Sequence, residues 1–293
     1  MHDREAISAA AADEYRRRSA VNWETAAAGW ESERDRVARM GRPITEWLVA
    51  NLDLEPGATV LELASGPGDV GLAVSAALGD GGTVIMSDRA HAMIEAAGRA
   101  VAAAGATNVE LRVIDAEAIA LPDASVDRVV CRFVYMLVAD RAAAFRETRR
   151  VLRPGGRLAF AVWAAADRNE WATTLWGVLD KLTDLPPTPP GGPGMFALGE
   201  PDAIAAAVTG AGLDLRAIEP IPITWSYPDF DAYWSAQSSL NGGLTRLLPT
   251  LSPAERDDLI AAVRTAVEPF RGDDGYHLAG VALGVSADAP EGV

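Results

Sequence analysis

From residue 59 to residue 163, short apolar runs alternate with stretches of helical period, and no other feature of the sequence constrains the fold as much. Runs at 59–64, 83–87, 109–114, 126–133 and 157–163 have the length of strands, and several are nearly continuous in apolar residues. Between them, 70–78, 91–104 and 140–152 read as helices. Gly79 and Gly105 stop the first two, Pro154, Gly155 and Gly156 follow the third, and Asp69 and Asp140 stand where N-caps are expected. Strands that are apolar on both faces and separated by helices form a parallel sheet covered on both sides. Ligands meet such sheets beyond the carboxyl ends of the strands.

The flanks lack this alternation. Residues 1–50 read as helical, with Trp23, Trp30, Val37, Ile44, Trp47 and Leu48 at roughly helical spacing; Pro43 is expected to break this region or to begin a new helix. After Trp163, residues 164–185 read as helix, 186–194 (PPTPPGGPG) as a stiff irregular loop and 201–210 as helix. A strand is expected at 213–218, mainly helix over 228–270, a last strand at 277–285, and fraying from Ala287. An excursion after the fifth strand lies near the ligand edge, where long insertions serve as lids or substrate walls. A plain stabilising subdomain is the alternative.

The first strand leads into LELASGPGDVG at 61–71. Gly66, Gly68 and Gly71 have dinucleotide-site spacing, and Asp88 lies twenty residues after Gly68. A strand, a glycine turn and a helix N-terminus aim backbone N–H groups at a ligand. The surroundings nevertheless suit a pyrophosphate badly. Glu62 brings a negative charge to the turn, Pro67 removes one donor, and no Lys or Arg lies between Glu62 and Leu78. A carboxylate buried there needs a cation or a donor, which a ligand's ammonium group supplies.

Asp88 can accept both hydroxyl hydrogens of a ribose, and it can also cap the following helix. Asp115 ends the third strand. The Ala116 amide could serve an adenine ring nitrogen and Asp115 its exocyclic amine, although Asp115 and Glu117 could equally be an acidic surface loop. Acids at three successive strand ends, with a glycine loop and no phosphate clamp, describe a nucleoside site with a cationic tail. S-adenosyl-L-methionine has that make-up: adenine, ribose, and an amino acid joined through a sulfonium. An NAD- or NADP-dependent oxidoreductase is the competing reading of the glycines. It lacks a Tyr-x-x-x-Lys pair, since Lys181 is the only lysine. A noncatalytic S-adenosylmethionine-binding regulatory protein is a third reading.

Composition narrows the partners. With 26 basic against 41 acidic residues the net charge is −15, which disfavours nucleic acid and anionic membranes. The short arginine runs, Arg16 to Arg18 and Arg149 to Arg153, read as solvated helix faces. Cys131 is the only cysteine, so neither an intrachain disulfide nor a cysteine metal cluster can form, and no metal is expected. The longest apolar run, 158–166, is too short to cross a bilayer, and the N-terminal residues lack a signal-type run. The expectation is a cytoplasmic protein without membrane insertion. Its oligomeric state is left open, with a dimer among the allowed arrangements.

Four segments, VLELASGPGD (60–69), SDRAHAMIEAA (87–97), VIDAEAIALPDASVDRVVCRF (113–133) and ETRRVLRPGGRLAFAVW (147–163), resemble class I S-adenosylmethionine-dependent methyltransferases in order and spacing. The likeness is to the type found in ubiquinone and menaquinone biosynthesis and among small-molecule methyltransferases. WSYPDFDAYW (225–234) is similar to larger bacterial members, more loosely. The resemblance implies an α/β fold with a Rossmann-like, seven-stranded, mostly parallel sheet, helices on both faces and an antiparallel last strand. With it goes a division into an N-terminal helical cap (1–50), a cofactor-binding core (51–165), a helical, Pro-rich lid insertion (166–212), a core strand (213–224), a second helical lid insertion (225–272), and the last strand and tail (273–293).

By the same resemblance, Glu62, Ala64, Gly66 and Gly68 line the methionine part of S-adenosyl-L-methionine. Asp88 holds the ribose, with Arg89 and Met93 beside it. Asp115, Ala116 and Glu117 frame the adenine, and Arg132 and Phe133 lie near the reacting centre. The product would be S-adenosyl-L-homocysteine. CRFVYM (131–136) stands where methylases of nucleic-acid amino groups carry Asp-Pro-Pro-Tyr, so the expected acceptor is a small molecule. Among candidate bases, His2 is terminal, His91 is expected to be exposed, and His277 begins a strand. Tyr135 is better placed, or else is a core or lid aromatic. Aromatics concentrate in the flanks, and Trp30, Tyr135, Trp163 and Phe196 are candidates to face a flat, quinone-like or natural-product acceptor. Whether oxygen, carbon or nitrogen is methylated is not readable.

Overall fold

The five apolar runs become parallel strands: β1 (Thr59–Leu63), β2 (Thr83–Asp88), β3 (Val109–Val113), β4 (Val126–Arg132) and β5 (Leu152–Trp163). This is seen in a computed structural model that describes residues 8–182 and 192–291. The connecting helices are α3 (Asp69–Leu78), α4 (His91–Ala104) and α5 (Arg141–Val151). Two strands complete the sheet, β6 (Asp214–Tyr227) and β8 (Gly275–Asp288), and the two-residue β7 (Arg271–Gly272) pairs only with β8. The order is β3-β2-β1-β4-β5-β8-β6, and β8 runs antiparallel to both of its neighbours. The order reverses between β1 and β4, so the crevice at their carboxyl ends is where a ligand site is expected.

Before the sheet come α1 (Ala9–Ser32) and α2 (Arg34–Asn51). Pro43 neither breaks this region nor starts a helix: it lies inside α2, and the chain bends at Glu33 instead. An interior proline costs on the order of 3 kcal/mol. Here the stripe Val37, Met40, Ile44 and Leu48, buried on both sides of Pro43, holds α2 together. Asp140 caps α5 as expected, accepting from the Ala143 N–H. Asp69 does not cap α3. Gly68, at φ 94°, occupies that place, and Asp69 is the first helical residue.

After β5 come α6 (Glu170–Leu182) and α7 (Pro201–Gly210), then, beyond β6, α8 (Phe230–Leu240), α9 (Gly242–Leu247) and α10 (Pro253–Val267). Most of the proline-rich stretch at 186–194 lies outside the described residues. Leu175 of α6, Tyr233 of α8, Leu244 of α9 and Val263 of α10 share one satellite core with Tyr227 and Leu278. The strand expected at 213–218 runs on to Tyr227, past the boundary at 224, because β8 pairs with it as far as Trp225–Leu278 and Tyr227–Tyr276. Trp225 and Tyr227 are therefore sheet residues. Nor is the chain frayed at Ala287, which is fully buried and paired with both Leu158 and Leu215.

Candidate active site

At the end of β1 the backbone turns through left-handed conformations at Ala64 (φ 52°), Gly66 (51°) and Gly68 (94°). The three motif glycines are required for different reasons. A Cβ on Gly66 would meet nothing within 4 Å, so this is the open side of the turn. A Cβ on Gly68 would lie 2.6 Å from the Met86 Cε, and one on Gly71 would collide with the Glu62 carboxylate. Ala64 and, at the end of β4, Phe133 (φ 68°) adopt a conformation unfavourable to side chains. Such strain persists where surrounding structure enforces it, as at binding sites.

Glu62 is only 2 % exposed and its Oε2 has no hydrogen-bond partner. Burial pushes its carboxyl up to about 8, with Arg132 and the Gly71 amide partly opposing the shift and Asp69 and Asp88 adding to it. Sequence reasoning found no cation along the loop, yet the fold brings two. Arg34 Nε, from the first turn of α2, lies 2.9 Å from Asp69 Oδ1, and Arg132 Nη2, from the end of β4, lies 3.5 Å from Asp69 Oδ2. Arg132 also donates to Thr45 Oγ1 at 3.1 Å. Both guanidinium groups thus pair with Asp69, Arg132 also acts on Glu62, and the Glu62 Oε2 is left without a hydrogen-bond partner. An ammonium group placed against Glu62 satisfies that oxygen, and the guanidinium groups suit a carboxylate beside it.

Asp88 closes the loop onto the next element. Its Oδ2 accepts from Gly66 N–H (3.0 Å) and its Oδ1 from Ala90 N–H (2.9 Å). Burial raises its pKa, against the backbone donors of Ala90, Gly66 and Arg89. Each carboxylate oxygen accepts more than one hydrogen bond, so ribose hydroxyls can still be received. Asp115 Oδ1 accepts from Glu117 N–H, and Arg89 Nη2 lies 3.8 Å from Asp115 Oδ2. Ala116 is buried between them in sequence. The Glu117 carboxylate is engaged at both oxygens, Oε2 by Arg16 Nε (2.8 Å) and Oε1 by Ala139 N–H (2.8 Å).

That contact reveals what sequence reading missed. α1 is strapped across the strand ends. Tyr15 donates to the Leu137 carbonyl, and Arg89 donates to the Arg16 carbonyl. Glu31 takes a two-pronged ion pair from Arg99, at 2.6 and 2.7 Å. Glu24 accepts from His91 N–H (2.7 Å) and Ala92 N–H (3.0 Å), capping α4 from outside. Met93 is buried beneath α1 with Ala27, and Trp23 and Trp30 pack against them. No local pattern marks Glu24 or Arg16, because their partners are distant in sequence.

The aromatic candidates divide. Tyr135 is not a base at the site. It is 0 % exposed, its ring stacks on Phe145 at 4.1 Å, and its hydroxyl lies 2.6 Å from Thr148 Oγ1. Burial moves its pKa well upward, away from use as a base. Phe196 is half-buried at the edge of the main core. Phe133, Trp163, Trp171 and Trp225 form a continuous series, with ring centres 4.0, 4.8 and 4.9 Å apart in succession. It starts beside Arg132 and ends at the buried Trp225 Nε1, which has no partner. Asn169 fixes the middle: its Oδ1 accepts from Trp171 Nε1 (3.1 Å) and from Val281 N–H (3.1 Å). His91 lies 3.4 Å from Glu95, and His277 contacts Ser226 and Asp274.

Residues 60–156 match the family described as a methyltransferase domain. This segment is a class I methyltransferase domain. The ubiquinone/menaquinone biosynthesis C-methyltransferase UbiE of Acidiphilium cryptum is 43 % identical over 110 residues, which are 37 % of this chain and 43 % of that one. The chain therefore spans less than half the length of this curated relative. Among solved structures, the Bacillus subtilis YcgJ protein matches with a TM-score of 0.56 at 21 % identity, covering 85 % of this chain and 98 % of its own. Phosphoethanolamine N-methyltransferase 2 of Haemonchus contortus, solved with S-adenosyl-L-methionine, matches with a TM-score of 0.52 at 15 % identity, covering 86 % and 53 %. These structural likenesses establish the fold around the methyltransferase domain.

Proposed function

We propose that the protein transfers a methyl group from S-adenosyl-L-methionine to an oxygen or carbon of a small, flat, aromatic or quinone-like acceptor, leaving S-adenosyl-L-homocysteine. The observation that carries this reading is the orphaned, buried Glu62 Oε2 at the glycine turn, with Arg132 acting on it and Arg34 and Arg132 both paired to the adjoining Asp69. Charges of both signs at one place suit the zwitterionic end of an amino acid and suit a pyrophosphate badly.

When bound, the cofactor supplies a methyl group already activated by the positive sulfur. The chain's part is placement and exclusion of water. Glu62 and the arginines hold the amino-acid end, Asp88 the ribose, and Asp115 with the Ala116 amide the adenine edge. Phe133, half-buried, offers stacking surface next to Arg132, while Trp163, proposed from sequence to face the acceptor, is buried in the core behind it. Among the described residues neither histidine nor Tyr135 lies on this aromatic series, which suits an acceptor acidic enough to arrive as a phenolate or enolate. α1 and the lobe of α6, α8, α9 and α10 act as lids over the site, and a cytoplasmic location belongs to the same reading.

The test is calorimetric titration with S-adenosyl-L-methionine against NAD, followed by a screen of phenols and quinols with labelled cofactor. Binding of NAD alone would replace this reading with an oxidoreductase. Cofactor binding with no acceptor methylated would favour a regulatory protein. Asp88→Ala should weaken cofactor binding by about 1–3 kcal/mol; unchanged affinity in the folded variant removes the ribose assignment.

A further inference from the structure

A groove lies between α2 and the outer strand β6, away from the glycine turn. Arg36, Arg39 and Arg42 line one wall, and the space is about 470 Å³. Three guanidinium groups around one groove stand out on a chain of net charge −15. Arg36 is fixed in place, with Nε 2.8 Å from Glu33 Oε2 and its guanidinium 5.5 Å from the Tyr227 ring centre. Arg42 is 3.8 Å from Glu46 in an exposed contact that solvent screens. Among the described residues Arg39 makes no ion pair, so its charge is uncommitted.

The rest of the groove mixes apolar and hydroxyl-bearing residues. Met40 and Ile223 are buried in its floor, and Pro43 and Pro222 flank them. Thr224 adds a hydroxyl. The Ser226 hydroxyl is 3.0 Å from His277 Nδ1, whose Nε2 lies 2.7 Å from Asp274, so its proton is taken up there when the imidazole is neutral. β6 is the edge of the sheet, but Pro220 and Pro222 remove backbone donors along it. An added strand is thereby disfavoured, and a small molecule is the better occupant. The groove is separate from the cofactor turn: Gly41 packs on Arg132, where a Cβ would lie 2.9 Å from Nη1, while the groove opens on another side of α2.

We propose that this groove is a second binding site, for a small amphiphilic anion, with a phosphate or carboxylate head held by Arg39 and Arg42 and an apolar body on Met40, Pro43 and Ile223. Octyl phosphate, octanoate, inorganic phosphate and octyltrimethylammonium are titrated into the full chain and followed by calorimetry. The two amphiphilic anions should bind, inorganic phosphate should bind about tenfold more weakly, and the cation should not bind. Arg39→Glu with Arg42→Glu, both at exposed positions, should weaken octyl phosphate by tenfold or more. The pair should leave S-adenosyl-L-methionine affinity and the melting temperature unchanged. Pelleting with phosphatidylglycerol vesicles, lost in the same variant, identifies the head as a lipid's; binding of free octyl phosphate without pelleting identifies a soluble amphiphile. No binding of either anion, equal binding of the cation, or wild-type affinity in the double variant overturns the site.

Discussion

Glu62 couples the candidate site to protons. Burial raises its carboxyl to about 8, so near pH 7 it is largely protonated. A ligand cation beside it favours the ionised form, and binding should then release a proton. Calorimetry at pH 7 in buffers of different ionisation enthalpy should show an apparent enthalpy that changes with the buffer, in the sense of release. Glu62→Gln should abolish this dependence and weaken binding by about 1.5–3 kcal/mol. A wild-type enthalpy indifferent to buffer would sink the pairing of Glu62 with an ammonium group. Tyr135 tests the opposite kind of claim. Because among the described residues its hydroxyl bonds only to Thr148 in the core, Tyr135→Phe should keep turnover and lose about 1 kcal/mol of stability; a large fall in kcat at unchanged stability would return it to the chemistry. The positions of Glu62, the glycines and Asp88 were legible because a strand, a turn and the next strand end fix where they stand. The sequence leaves Tyr135 open between base and core aromatic because position after β4 does not say which way a side chain points; the fold places it in the core.

At the scale of elements, the parallel strands and their helices follow from local period, whereas the straps of α1 do not. Glu24 binds two N–H groups at the start of α4, and Arg16 reaches Glu117, about a hundred residues away in sequence. Neither pairing has a local signature, just as nothing local predicts that Arg34 and Arg132 would meet Asp69. The same limit explains β6: its length is set by the partner strand β8, and only pairing carries it through Pro220 and Pro222 to Tyr227. Glu24→Ala should leave the His91 and Ala92 amides without their acceptors. A cap of this kind is worth about 1 kcal/mol. Hydrogen exchange at the start of α4 should speed up by about fivefold, while β1 and β4 keep their protection. Equal protection in the variant would mean that α1 does not hold α4, and the lid role of α1 would lose its anchor.

For the molecule as a whole, the titrating groups pull stability in two directions. Asp127, Glu147 and Asp288 are held below their usual range, by the Thr59 amide and Arg153, by Arg150, and by Arg157, respectively. Their contribution is complete above the unfolded carboxylate range and is lost as pH falls through the folded values. Glu62 acts in the opposite sense. Its folded value, about 8, lies above its ordinary 4.5, so the folded state holds a proton that the unfolded state has given up. Stability then falls as pH rises across that window, by at most about 1.4 kcal/mol per pH unit. Asp88, also raised by burial, acts with the same sign, and self-repulsion at a net charge of −15 works in the same direction. The ligand-free protein should therefore be most stable at about pH 5–6 and lose stability toward pH 8. Saturating S-adenosyl-L-methionine should flatten the alkaline arm by stabilising ionised Glu62, and Glu62→Gln should flatten it without ligand. Urea unfolding at pH 6 and pH 8 checks both. If the wild type proves more stable at pH 8 than at pH 6 without ligand, Glu62 is already paired within the chain, and its pairing with a ligand's ammonium group at the glycine turn is ruled out.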